Sequence, residues 1–125
     1  MSLLNGLLGN ASTISKEEAK KELQTILIDN EEVNAAFKLI RDLIVFTDKR
    51  FIMVDKQGIS GKKIDFHSIP YKSISHFSVE TAGTFDLDAE LKIWISGAQL
   101  PAVSKKFGKD KSIYDVQKIL AAVCI

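Results

Sequence analysis

Cysteine is almost missing from this chain. One residue in 125 is a cysteine, Cys124, so no internal disulfide can form and no zinc-type spacing exists. A lone thiol fits a reducing, cytoplasmic compartment, and Cys124 itself reads as a small apolar residue on a terminal helix. Histidine is nearly as scarce, with two residues. His67 and His76 fall in different predicted strands, with no third histidine or paired cysteine to complete a metal set, so no metal or cofactor is expected. Charge of one sign is lacking too: 17 Lys and Arg oppose 16 Asp and Glu, for a net +1. Nucleic-acid binders carry a clear basic excess, so nucleic acid is not an expected partner. Near-neutral charge gives little colloidal repulsion and is compatible with self-association. No apolar run approaches the roughly 20 residues of a membrane-spanning helix.

Catalytic signatures are missing as well. There is no Gly-x-Ser-x-Gly elbow and no Walker-type phosphate loop; Gly58 and Gly61 fit turns. Asp86, Asp88 and Glu90 alternate along one predicted strand. Neighbours on one face of a strand stand about 7 Å apart, too far to share a ligand unaided. They read as a solvated or partner-facing surface. The chain is therefore expected not to be an enzyme.

What remains is a chain with 46% hydrophobic residues, enough for a single core. A single domain is expected over 15–125, after an apolar segment at 1–14. Met1 to Ala11, MSLLNGLLGNA, has no basic n-region and no Gly at position 2, so it fits neither a signal peptide nor a myristoylation site. Leu3, Leu4, Leu7 and Leu8 are expected to dock on the domain or on a neighbouring subunit. Membrane contact is the alternative, with only the apolar half of an interfacial signature present.

Ser15-Lys16-Glu17-Glu18 has the form of a capping box. Ala19, Leu23, Ile26 and Leu27 follow at helical spacing, which predicts a helix over 16–27 ended by Asp29-Asn30. The period then changes to two. Val33, Ala35, Phe37 and Leu39 alternate, and Leu43–Phe46 and Phe51–Val54 are short apolar runs joined by Thr47-Asp48-Lys49-Arg50, a hairpin link. Asp55-Lys56-Gln57-Gly58 reads as a turn. Ile64, Phe66 and Ser68 form a fourth strand closed by Pro70, and Ile74–Thr81 a fifth. Phe85–Ser96 alternates strictly apart from Trp94. Gln99–Ser104 is a weak seventh strand. Ile113, Val116, Leu120 and Val123 stripe a closing helix. Helix, six or seven antiparallel strands and helix make a mainly β chain, a bent sheet or partly open barrel with a capping helix.

Two stretches resemble the bacterial pleckstrin-homology family. One is Leu43-Ile44-Val45-Phe46-Thr47-Asp48-Lys49-Arg50-Phe51-Ile52. The other runs from Ile69-Pro70-Tyr71-Lys72-Ser73-Ile74 through Phe77-Ser78-Val79-Glu80-Thr81-Ala82-Gly83 to Asp88-Ala89-Glu90-Leu91-Lys92. The resemblance covers 15–124. It implies a pleckstrin-homology fold without enzymatic activity and cyclic homo-oligomers, pentameric for a single-domain chain of this length. Phosphoinositide-binding relatives place lysine and arginine across the first hairpin. Lys38 with Arg41, and Lys49 with Arg50, do not reproduce that pattern, so lipid-headgroup binding is not carried over.

The candidate surfaces follow from these strands. Asp48, Lys49 and Arg50 at the hairpin tip, and Asp86, Asp88, Lys92 and Trp94 on the long strand, are candidates for a partner or subunit interface. Trp94 is a large aromatic on an otherwise wet face, which suits an interface anchor. Lys62 and Lys63 extend the basic group of the tip, while Lys105, Lys106, Lys109 and Lys111 read as a solvated loop. Leu43–Phe46 and Phe51–Val54 are apolar on both faces, so their outer face needs a cover, either the N-terminal segment or another subunit.

Overall fold

The computed structural model describes residues 14–39, 42–58, 62–81, 89–108 and 112–125. It divides into two compact units, one ending at Pro70 and the other running from Tyr71 to Ile125.

In the first unit, Ser15 caps helix α1 (Lys16–Glu22). Its Oγ accepts the Glu18 N–H at 3.1 Å and lies 3.5 Å from the Glu18 carboxylate, so the expected capping box forms. Glu17 and Glu18 open the helix and Lys20 and Lys21 close it, the charge order that its dipole favours. The helix is shorter than 16–27, because Leu23 already departs from helical geometry at φ −105° and ψ 7°. Ile26 and Leu27 nevertheless pack on the same core from the following turn. Asn30 then turns the chain at φ 67°, a left-handed conformation that asparagine tolerates.

Strands β1 (Val33–Lys38), β2 (Leu43–Thr47), β3 (Arg50–Gln57) and β4 (Lys63–Pro70) form an antiparallel sheet in that order. The two-faced strands find their cover within the chain. Leu43, Val45, Ile52 and Val54 join Ala19 and Leu23 of the helix region in one buried cluster. On the opposite parity, Phe46 meets Phe37 and Phe51 edge-on at 6.2 and 5.4 Å between centroids. The plain alternation expected for β1 is broken, because a register shift between Val33 and Ala35 lets Val33 and Ala36 share the helix-side cluster. A bulge of this kind inverts the parity that follows it. The turn expected at 55–58 also lies farther on. Asp55, Lys56 and Gln57 remain in β3, with Gln57 opposite Lys63, and Gly58 takes the positive φ of 80°.

The second unit starts with a 3₁₀ turn, Tyr71–Ser73, followed by β5 (Ile74–Thr81), β6 (Ala89–Ile95), β7 (Val103–Gly108) and helix α2 (Ser112–Cys124). The sheet order is β5-β6-β7, all antiparallel. Ala89, Leu91 and Ile93 are buried and alternate with half-buried Glu90, Lys92 and Trp94, as the pattern requires. Phe85, Asp86, Leu87 and Asp88 lie outside the described residues. The seventh strand starts four residues later than 99–104 suggested. Leu100 is fully outside it, 79% exposed, and Pro101 has no N–H to donate. Lys105 and Lys106, expected in a loop, therefore stand in β7 opposite Leu91 and Glu90. Ile113, Val116, Ile119 and Leu120 are buried as α2 packs on β5 and β6.

The seven strands thus make two antiparallel sheets and, among the described residues, no closed barrel. No helix of the described residues is long and apolar enough to cross a membrane.

Candidate functional site

The hairpin tip was a predicted contact surface; Asp48 and Lys49 are exposed there and Arg50 is half-buried, but Asp48 and Arg50 are tied to the residues before β1. Thr47 is fully buried. Its Oγ1 accepts the N–H groups of Lys49 and Arg50 at 3.1 and 3.0 Å, which shapes the tight turn. The same hydroxyl donates to Glu31 Oε2 at 2.7 Å. Arg50 meets Glu31 in a two-pronged ion pair, Nε to Oε2 at 2.9 Å and Nη2 to Oε1 at 2.9 Å. Its remaining donors reach the Ile26 carbonyl and Ser68 Oγ, each at 2.8 Å. Ile28 N–H completes the carboxylate at 3.3 Å. The Glu31 side chain is wholly buried, yet every oxygen is satisfied. Arg50 and the other donors hold its carboxyl down at a pKa of about 2, against desolvation, which pushes the other way.

Asp48 is also tied back. Its Oδ1 accepts Glu32 N–H at 2.9 Å, while its own N–H donates to the Glu32 carbonyl at 3.0 Å. Lys49 has an exposed side chain. Sequence reasoning missed Glu31. The pair it forms spans 19 residues, and the visible signal was confined to Thr47 and Arg50 three apart.

Two of the other predicted interface residues, Lys92 and Trp94, lie on the half-buried face of the second sheet. The register sets His76 opposite Trp94, Ser78 opposite Lys92 and Glu80 opposite Glu90. Lys92 Nζ bridges the two carboxylates at 3.8 Å each, and Ser104 Oγ donates to Glu90 at 3.0 Å. Trp94 is half-buried, and the His76 ring lies over it at 4.4 Å with 17° between planes. Lys92 and Trp94 therefore belong to one face, whereas Asp86 and Asp88, like Leu3, Leu4, Leu7 and Leu8, lie outside the described residues.

Two clefts lie among the described residues. One, of about 480 Å³, lies by α1 and the Lys38–Leu43 end of the first hairpin. Lys21, Lys38 and Lys56 face Glu18, Glu22 and Asp42 there, a balance that selects no ligand charge. The other, of about 320 Å³, is lined by Ile74, Ser75, His76, Phe77, Cys124 and Ile125. Burial pushes the Cys124 thiol up from its ordinary value, which favours the thiol over the nucleophilic thiolate. No group of three or more His, Cys, Asp or Glu suited to a metal occurs among the described residues.

The family model for the bacterial PH domain matches residues 2–124. The chain belongs to the bacterial PH-domain family. The uncharacterized protein YjqA of Bacillus subtilis is 72% identical over 125 residues, all of both chains. A pleckstrin-homology domain structure from Shewanella amazonensis superposes with a TM-score of 0.81 at 51% identity, covering 98% of each chain. A DUF1696-family protein with a pleckstrin-homology domain, from Shewanella loihica, gives 0.79 at 50% identity, covering 94% of this chain and 99% of that one. The fold of this bacterial PH domain is thus pleckstrin-homology-like, as expected, with its seven strands in two sheets. The resemblance seen in the Thr47–Arg50 and Ile69–Ile74 stretches holds across nearly the whole chain.

Proposed function

We propose that this bacterial PH domain works by binding rather than catalysis: copies assemble into a cyclic homo-oligomer, a pentamer as the family resemblance implies, which acts in the cytoplasm as a scaffold for another protein. One observation carries the reading. Strand β4 is eight residues long and, among the described residues, hydrogen-bonds to β3 on one side only. Lys63, Ile64, Asp65 and Ser68 along it are exposed. An edge of that length presents unpaired N–H and C=O groups that another strand can complete. The opposite edge, β1, is partly closed by the Ile14 N–H bonding to the Ala36 carbonyl at 3.2 Å. Assembly through strand edges leaves the Lys92–Trp94 sheet face open to a protein partner.

Light scattering across a wide concentration range tests this. The expected result is a stable mass about five times the 13.9 kDa of one chain. Ile64→Lys adds an edge lysine, a device that blocks strand pairing, and is expected to move the mass toward the monomer. A monomer at every concentration refutes the scaffold reading and leaves liposome sedimentation, with and without anionic lipid, as the next assay.

A further inference from the structure

We propose that His76 is a pH-responsive cover on Trp94: acidification tightens the histidine over the indole, and deprotonation loosens it. The proposal rests on the reading of this sheet face as the partner surface and names its regulation.

The placement is built into the backbone. Ile74 pairs with Ile95, and simple antiparallel counting would then set Ser75 opposite Trp94. A register shift between Ile74 and His76 instead sets His76 there. A bulge re-aims a side chain in this way, and here it brings the imidazole onto the indole face at 4.4 Å and 17°. Ser75, the extra residue, holds the arrangement. Its Oγ donates to the Trp94 carbonyl at 3.2 Å and lies 3.2 Å from His76 Nδ1. A serine has one hydroxyl proton. With that proton on the carbonyl, the tautomer that carries its hydrogen on Nδ1 donates to Ser75. The second proton then enters at Nε2 without breaking this bond, so the site accepts the imidazolium as built.

Histidine is the side chain whose charge changes across the neutral range. An imidazolium over an indole gains a cation–π attraction, which raises the ratio of stacked to open ring about two- to fivefold at an exposed site. The groups around it allow this. Ser75 and Ser78 flank His76 on β5, Lys92 lies beside Trp94 on β6 and is held by Glu80 and Glu90, and Cys124 and Ile125 of the α2 end line the adjoining cleft. Acidification thus adds a cation over a covered anchor, whereas an uncharged imidazole leaves Trp94 more accessible.

The chain has a single tryptophan, so emission excited beyond the tyrosine band reports this site alone. Protonated imidazole quenches a stacked indole. Full-length protein titrated from about pH 8 to about pH 5 is expected to lose emission in one step. That step should vanish in both His76→Gln and His76→Phe, the second of which keeps a stacked ring that cannot titrate. Cys124→Ser should retain it. A step that survives in either His76 variant, a step abolished by Cys124→Ser, or no step in the parent overturns the proposal. Light scattering of the same samples keeps the two readings apart: a monomer with the step retains the cover, and a ring without it loses the cover alone.

Discussion

Replacing either partner of the Glu31–Arg50 pair should change not only the stability of this protein but also its pH dependence. Glu31 is held at a pKa of about 2 instead of 4.5. At about 1.4 kcal/mol per tenfold change in proton affinity, the folded state gains roughly 3 kcal/mol from this one carboxylate. A depressed carboxyl contributes that stability above its unfolded pKa and loses it as pH falls toward the folded one. The window is therefore from about pH 5 down to about pH 2. Glu31→Gln removes the charge while keeping the shape, and should cost about 3 kcal/mol at neutral pH while flattening the acid limb.

Arg50→Met is the sharper variant. It strands a carboxylate whose side chain is 0% exposed with only Thr47 and Ile28 as donors. An isolated buried carboxylate is pushed up by desolvation, so the loss should be about 3–5 kcal/mol at neutral pH and should shrink on acidification as Glu31 takes up a proton. Urea unfolding at a series of pH values reads all three proteins. Relative to the parent, Arg50→Met should recover between about pH 7 and pH 4, the opposite slope to the parent's acid loss. Parallel pH profiles for the three, or losses within about 0.5 kcal/mol as for ordinary surface changes, would refute the argument.

Three smaller tests probe the frame. Ser15→Ala removes the cap that accepts the Glu18 N–H and should cost about 1 kcal/mol in urea unfolding. Leu23→Ala hollows the fully buried cluster between α1 and the first sheet and should cost about 2–5 kcal/mol, with m unchanged if the unfolding stays two-state. Gly97→Ala has open space for its Cβ but sits at φ +83°, so a loss of about 1–2 kcal/mol measured by thermal unfolding would come from the backbone alone.

Much of the fold could be read because its signals are local. The capping box at Ser15, the hairpin link at 47–50 and the alternation of Ala89, Leu91 and Ile93 each act over a few residues. What escaped was non-local or masked by composition. The β1 bulge and the bulge at Ser75 each shift a parity that the sequence writes as unbroken. The lysines at 105 and 106 look like loop residues because charge is the commonest loop signal, yet lysine also suits an edge strand such as β7. Helix α1 stopped at Glu22 because the apolar spacing of Leu23, Ile26 and Leu27 is met equally by a turn lying on the same core. At the site, Trp94 stood out as a break in pattern, whereas its partner His76 could not, since only the bulge brings the two rings to one face.

The candidate surface changes once these contacts are counted. From sequence, Thr47-Asp48-Lys49-Arg50 looked like a basic tip offered to a partner. In the structure the Arg50 guanidinium is divided among Glu31, Ile26 and Ser68, and Asp48 is bonded to Glu32 through both its side chain and its backbone. A partner would have to break a buried ion pair to use Arg50, a cost of several kcal/mol that a surface contact worth at most about 1 kcal/mol does not offset. The tip is thus a clamp joining the residues before β1 to the β2–β3 hairpin, with Lys49 as its exposed cation. The Lys92–Trp94 face makes no such demand. Its aromatic pair is half open and its ion pairs are long and solvated, so a partner can exchange them at little cost. The proposed partner surface therefore falls on the second sheet, while Arg50 and Asp48 at the hairpin tip hold the first sheet in shape.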